Sequence, residues 1–163
     1  MIIKTINLGN REKALKSITE SKNKNYGKID IKIENLHLKD LNKLVGKMIF
    51  KKNDAFISGE TLFELMQPIG EKNHHHFHNL SAETIFKTLL FLKRPYCILK
   101  TGTNRYSILS KHVEKLKRII TVIEINANKV SEINKINKIV TIYPKDKINN
   151  YINGKTILYI DCD

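Results

Sequence analysis

Pro95 divides this chain into two textures, and the division limits the folds open to it. Ahead of it, Ile85, Phe86, Leu89, Leu90 and Leu92 repeat at helical spacing and stop at Arg94-Pro95. Behind it lie short β-rich runs: Tyr96 to Thr101, Arg105 to Ser110, Ile119 to Ile125, Lys138 to Tyr143 and Thr156 to Ile160. The first two are joined by a Gly102-Thr103-Asn104 turn and the next by a charged connection around Lys111 to Lys117. Connections of hairpin length predict antiparallel neighbours. The expected class is therefore α+β, with N-terminal helices packed on an antiparallel β-meander of about four to five strands.

The N-terminal part adds smaller elements. Ile2 to Ile6 predicts a strand, and Asn10 to Ser21 a polar helix whose weak apolar stripe is Ala14, Leu15 and Ile18. Lys28 to Glu34 alternates Ile29, Ile31 and Ile33 with polar neighbours, the period of a half-buried strand. Leu38, Leu41, Leu44 and Val45 then fall at helical spacing before Gly46, and Met48 to Phe50 is a further strand candidate. Glu60 to Met66 predicts a short helix that ends near Gln67, because Pro68 disfavours helical geometry in the residue before it. Ser81 is a suitable N-cap for the helix before Pro95, and Glu83 complements its dipole. Lys147 to Ile152 predicts a helical turn closed by Asn153-Gly154. A length of 163 residues suits a 54–163 domain with a 1–53 N-terminal α/β annex, or one continuous domain.

No apolar run approaches the roughly 18 residues needed to span a bilayer, and Met1-Ile2-Ile3-Lys4 leads into polar sequence without a signal peptide. Cys97 and Cys162 fit neither a disulfide framework nor a CxxC metal site, so the expected setting is the reducing cytoplasm. The formal net charge of +13 points to a polyanionic partner. Composition weakens the inference, because abundant Ile, Asn and Lys also follow from A/T-rich coding. Position is more telling. Between Lys87 and Arg118 the basic residues Lys87, Lys93, Arg94, Lys100, Arg105, Lys111, Lys115, Lys117 and Arg118 meet a single acid, Glu114. Lys93, Arg94, Lys100 and Lys111 are the candidate phosphate contacts there.

Two groupings carry chemistry. Four of the six histidines, His74, His75, His76 and His78, occupy five positions in front of the Ser81 cap, and imidazoles exchange protons near neutrality. The run admits metal binding, a solvated loop, or acid–base chemistry by one histidine held near the helix start; no regular Cys or acidic ligand accompanies it. The second grouping is Asn137 to Lys145. In a regular strand Thr141 and Tyr143 share a face with Ile139, while Val140 and Ile142 turn into the core. With Lys145 they form a polar patch at a strand end, although Thr and Tyr are also ordinary strand formers. Arg105 adds a guanidinium suited to bidentate phosphate binding.

The order of these parts, His75-His76-Phe77-His78-Asn79-Leu80-Ser81-Ala82-Glu83, Leu92-Lys93-Arg94-Pro95, a meander, then Ile139-Val140-Thr141-Ile142-Tyr143, resembles the phage-associated nucleases of the barnase–EndoU–colicin–RelE-like superfamily, including toxin domains at the C-termini of phage head-morphogenesis proteins. The resemblance covers about Asp54 to Asp161. It implies a metal-independent endoribonuclease toxin without a cofactor, in which the RNA 2′-hydroxyl attacks the adjacent phosphate and leaves a 2′,3′-cyclic phosphate. On that analogy His78 or His75 is the acid or base, Thr141 and Tyr143 orient the phosphate, and Arg105 with Lys145 stabilises its charge. A cognate immunity or antitoxin protein is the implied partner. The pattern departs in having no clear carboxylate base, Glu124 being the only mid-strand acid. A non-catalytic nucleic-acid-binding module and a zinc-dependent hydrolase built on the histidines are the alternatives.

Overall fold

The computed structural model describes residues 4–70, 77–128 and 135–162. Among these described residues, eight strands form one mixed sheet, and five α-helices accompany them. In chain order the elements are β1 (Thr5–Asn7), α1 (Arg11–Asn23), β2 (Asp30–Glu34), α2 (Leu41–Val45), β3 (Ala55–Ser58), α3 (Gly59–Leu65), α4 (Ala82–Leu90), β4 (Pro95–Gly102), β5 (Arg105–Glu114), β6 (Lys117–Asn128), β7 (Lys135–Lys145), α5 (Ile148–Ile152) and β8 (Thr156–Ile160). A 3-10 turn, Leu38–Asp40, precedes α2. The sheet order is β1-β2-β3-β7-β6-β5-β4-β8. Strands β4 to β7 form the expected antiparallel meander, and β8 returns antiparallel to β4. The α+β expectation is borne out.

Local chemistry explains the boundaries. Asn10 caps α1, accepting from the Lys13 amide, and Ser81 caps α4, accepting from the Thr84 amide at 3.0 Å. Gly46 closes α2 in the left-handed region (φ 80°), where a side chain would be strained. One face of the sheet carries the main core, in which Ile18, Leu62, Ile85 and Phe86 from the helices meet Ile98, Ile108, Ile123, Ile139 and Ile142. The other face carries a smaller cluster of Cys97, Leu99, Leu109, Ile120 and Val122, closed by Ile152 of α5.

Three expectations need correction. Met48 to Phe50 is not a strand: Asn42 Oδ1 accepts from the Ile49 and Phe50 amides, both at 2.8 Å, and its amide donates to the Phe50 carbonyl. A side chain has taken the bonds that a strand partner would have used. The charged segment from Lys111 is also no loop. Strand β5 continues to Glu114 and turns through Lys115 (φ 49°) and Leu116 (φ 65°), a two-residue hairpin turn with both central residues left-handed. Finally, Thr141 does not share a face with Ile139. The β6–β7 register shifts between Val122 opposite Thr141 and Ile123 opposite Ile139, so a bulge sends Ile139 into the main core with Ile142.

Candidate functional site

The bulge in β7 is what builds the site. It leaves Thr141 in register with Val122 and Tyr143 with Ile120, on the face of the smaller cluster. On that face α5 lays Tyr151 over the sheet. The Tyr151 hydroxyl lies 3.2 Å from Ser107 Oγ, and the Tyr143 hydroxyl donates to it at 3.2 Å. Ser107, on β5, is itself opposite Val122. Three hydroxyls thus form a continuous chain across the sheet. Burial and the bond to Tyr151 push the Tyr143 phenol well above its ordinary range, so it keeps its proton at neutral pH.

His78 reaches this face from outside the sheet. Strand β3 joins β7 at one registered pair, Phe56 opposite Lys138, and the residues just ahead of α4 come to the later half of β7, where Thr141 lies. That segment is fastened by the Asn79 amide to the Gln67 carbonyl and the Leu80 amide to the Leu65 carbonyl, both at 2.9 Å. Leu80 is buried as an anchor, and Asn79 takes the left-handed conformation (φ 51°) that asparagine tolerates. The result places His78 Nε2 at 3.5 Å from Thr141 Oγ1, and the imidazole 5.8 Å from the Tyr143 ring between centroids. The histidine is half-buried. An imidazole beside a hydroxyl and a protonated phenol provides a proton acceptor, a positioning group and a donor within one small area.

The other expected residues are distributed around this centre. His75 lies outside the described residues, as do His74 and His76. Arg105 is cross-strand to Glu124 and pairs with its carboxylate at 3.5 Å, two residues along β5 from Ser107. Lys145 ends β7 opposite Arg118. Lys111 forms an ion pair with Asp161 at 2.7 Å. Lys93 and Arg94 occupy the turn between α4 and β4, and the exposed Lys100 sits opposite Tyr106, whose ring belongs to the main core. Structure therefore groups His78, Thr141 and Tyr143, and leaves the cations on the periphery.

Ser107, Tyr151 and Lys138 are neighbours of this centre that the sequence reading did not single out. Lys138 is opposite Glu124, in the same cross-strand row as Arg105. Tyr151 gave only a faint signal, an aromatic within a short helical turn. Arg118 is likewise fixed on this side, stacked 3.8 Å from the Tyr96 ring and donating to the Ser110 and Lys111 carbonyls. The Cys97 thiol, buried in the smaller cluster, is pushed up to about 11 by burial and stays protonated, which removes it as a nucleophile. Among the described residues no group of three or more His, Cys, Asp or Glu is placed to hold a metal ion, and no helix is long and apolar enough to cross a membrane.

Against known proteins, the family model described as the Phage MuF-C-terminal domain matches residues 70–163, more than half of the chain. The match takes in His78, the meander and the Thr141–Tyr143 strand. No curated protein and no solved structure matches.

Proposed function

This chain belongs to the Phage MuF-C-terminal domain family, and from that membership and the site geometry we propose that it is an endoribonuclease toxin cleaving RNA by attack of the 2′-hydroxyl on the adjacent phosphate. One observation carries the reading: a histidine from outside the sheet is delivered to within 3.5 Å of Thr141 and beside the protonated Tyr143.

In this mechanism His78 takes the proton of the 2′-hydroxyl, or returns one to the departing 5′-oxygen. Thr141 Oγ1 orients that ring. Tyr143 turns its phenol proton from Tyr151 to a non-bridging phosphate oxygen, where negative charge grows in the transition state. Tyr151, bonded on its other side to Ser107, acts as a positioning residue that holds the phenol in place. Arg105 and Lys138 on one side, and Lys145 on the other, supply positive charge along the path of the strand. DNA lacks the attacking group and would be bound without being cut.

The test is RNA incubated in excess EDTA with the protein and with His78→Ala. Fragments ending in 2′,3′-cyclic phosphate are expected, falling about 100- to 10,000-fold in the variant, the usual contribution of a general acid or base. Cleavage abolished by EDTA would move the assignment to a metal-dependent hydrolase, and intact RNA held by salt-sensitive binding would move it to a binding module. The same reading calls for a cognate immunity protein with an acidic face, since a cell making such an enzyme must restrain it.

A further inference from the structure

The face that carries Thr141 and Tyr143 continues past them to a third cross-strand pair. Between β6 and β7 the register runs without a break from Val122 opposite Thr141, through Ile120 opposite Tyr143, to Arg118 opposite Lys145. Alternation therefore sets Arg118 and Lys145 on the same face as Tyr143, two residues or about 7 Å further along. Beside this pair a groove of about 410 Å³ opens between Tyr96 of β4, Arg118, and Lys147 to Asn150 at the start of α5. Tyr96, Tyr143, Ile148 and Tyr151 all pack on the smaller cluster, so the groove continues the surface formed by Tyr143 and Tyr151.

Arg118 presents a fixed fork to this groove. Its Nη1 donates to the Ser110 and Lys111 carbonyls at 3.0 and 2.9 Å, and its guanidinium carbon lies 3.8 Å from the centre of the Tyr96 ring. These contacts clamp the irregular stretch of β5 between Leu109 and Val113. They use one nitrogen only. Among the described residues no acceptor meets Nε or Nη2, and no carboxylate pairs with the side chain. The Nε and Nη2 protons lie along one edge of the guanidinium, at the spacing that takes two oxygens of one phosphate. A guanidinium already held by backbone and ring loses little further freedom when an anion binds. The nearby acids leave that edge open: Asp161, whose amide donates to the Tyr96 carbonyl at 2.8 Å, gives its carboxylate to Lys111 at 2.7 Å, and Asp146, between Lys145 and Lys147, is exposed.

We propose that this groove is the subsite for the RNA phosphate next to the one being cleaved, held by the Nε and Nη2 edge of Arg118 with Lys147 alongside. The proposal rests on the ribonuclease reading above. With the scissile phosphate at Tyr143, a neighbouring phosphodiester of the same strand comes to Arg118, and the two contacts together set the register of the strand across the site.

The experiment uses the full chain in two assays. The first titrates a fluorescent 2′-O-methyl RNA decamer, which lacks the attacking hydroxyl, over a range of salt. R118Q is expected to weaken it about tenfold and to lower the slope of log affinity against log salt by about 0.7, the share of one phosphate contact on a single strand. R118K keeps the charge and loses the fork, so it should weaken the decamer about threefold or more with the slope unchanged. K147Q, which leaves the β5 clamp intact, should lower the slope by about 0.7, and K16Q on α1 should alter neither quantity. Urea unfolding checks each variant, and K147Q and R118K carry the test if R118Q does not fold. The second assay compares a dinucleoside monophosphate with the same dinucleotide carrying an extra phosphate at its 5′ or 3′ end. The extra phosphate at one end should raise kcat/KM about tenfold in wild type and have no effect in R118Q, which should cut the plain dinucleotide as wild type does. Equal loss on all three substrates would place Arg118 at the scissile phosphate and overturn the proposal, as would decamer binding indifferent to R118K and K147Q. Displacement of the decamer by millimolar inorganic phosphate at constant ionic strength would overturn it in favour of a free anion. Binding that depends on Arg118 and Lys147 with no RNA cut by wild type would leave the groove standing and remove the nuclease reading; cleavage without that dependence removes the groove alone.

Discussion

His112 carries a ring nitrogen into the interior, and that makes it the residue at which stability meets pH. Among the described residues its Nε2 has no hydrogen-bond partner, and it shares a small space of about 10 Å³ with the Thr88 and Thr121 hydroxyls, which likewise have none there. Burial lowers its pKa from 6.5, opposed by Glu114 and reinforced by Lys87. The folded state therefore refuses a proton that the unfolded chain accepts. Below pH 6.5 unfolding is favoured progressively, until the folded pKa is passed and the loss levels off. The urea midpoint should accordingly fall between pH 7.5 and 5.5, and His112→Asn should flatten that fall; equal slopes in the two proteins would refute the assignment. Residues of the site differed in how far the sequence disclosed them. Thr141 and Tyr143 share a face as strand alternation expects, because the bulge lies before them and not between them. Ile139 was misplaced because a bulge leaves no mark in composition. The Arg105–Glu124 pair depends on cross-strand register, and His78 was separable from its neighbours only by its seat on Asn79 and Leu80.

Elements with their own local chemistry were legible, and those made by distant partners were not. Helix α4 announces itself through Ser81, an apolar stripe and Pro95; its start agrees, while it ends at Leu90, short of the expected stop at Arg94, and Leu92 lies in the turn that follows. The Lys115-Leu116 turn was hidden, because neither residue favours the positive φ that both adopt. Nor does sequence reveal that Gly59, at the start of α3, is pressed against Tyr26. A Cβ there would stand 2.6 Å from the Tyr26 Cβ and 3.0 Å from its carbonyl carbon. Tyr26 cannot easily withdraw, because Lys4 and Lys24 lie over its ring at 4.3 and 4.9 Å, and the Glu60 amide donates to the neighbouring Gly27 carbonyl. Gly59→Ala should therefore destabilise the protein by about 1–3 kcal/mol, the usual cost of overpacking, as measured by urea unfolding. A change under about 0.5 kcal/mol would show that the contact yields.

On the scale of the whole molecule, the sheet and the main core both run through the annex. Ile6, Ile18, Ile31, Ile33 and Phe50 are fully buried in the same cluster as Ile85, Ile123 and Ile142, and Phe50 packs against Tyr106 at 5.9 Å between ring centroids. Residues 54–163 expressed alone are expected to lack a cooperative thermal transition and a near-UV circular dichroism signal, having lost these partners. A sharp transition in that fragment would show an independent domain. The sheet that holds Thr141 and Tyr143 belongs to this shared core, whereas His78 reaches it on a short segment that the Asn79 and Leu80 amides and the buried Leu80 side chain fasten beside α3. A short strap held locally opens more often than a sheet unfolds. On the ribonuclease reading, the fraction of molecules with a complete site then follows the closing equilibrium of that short strap, so that competence and thermodynamic stability would be separate quantities, and a change in one need not register in the other.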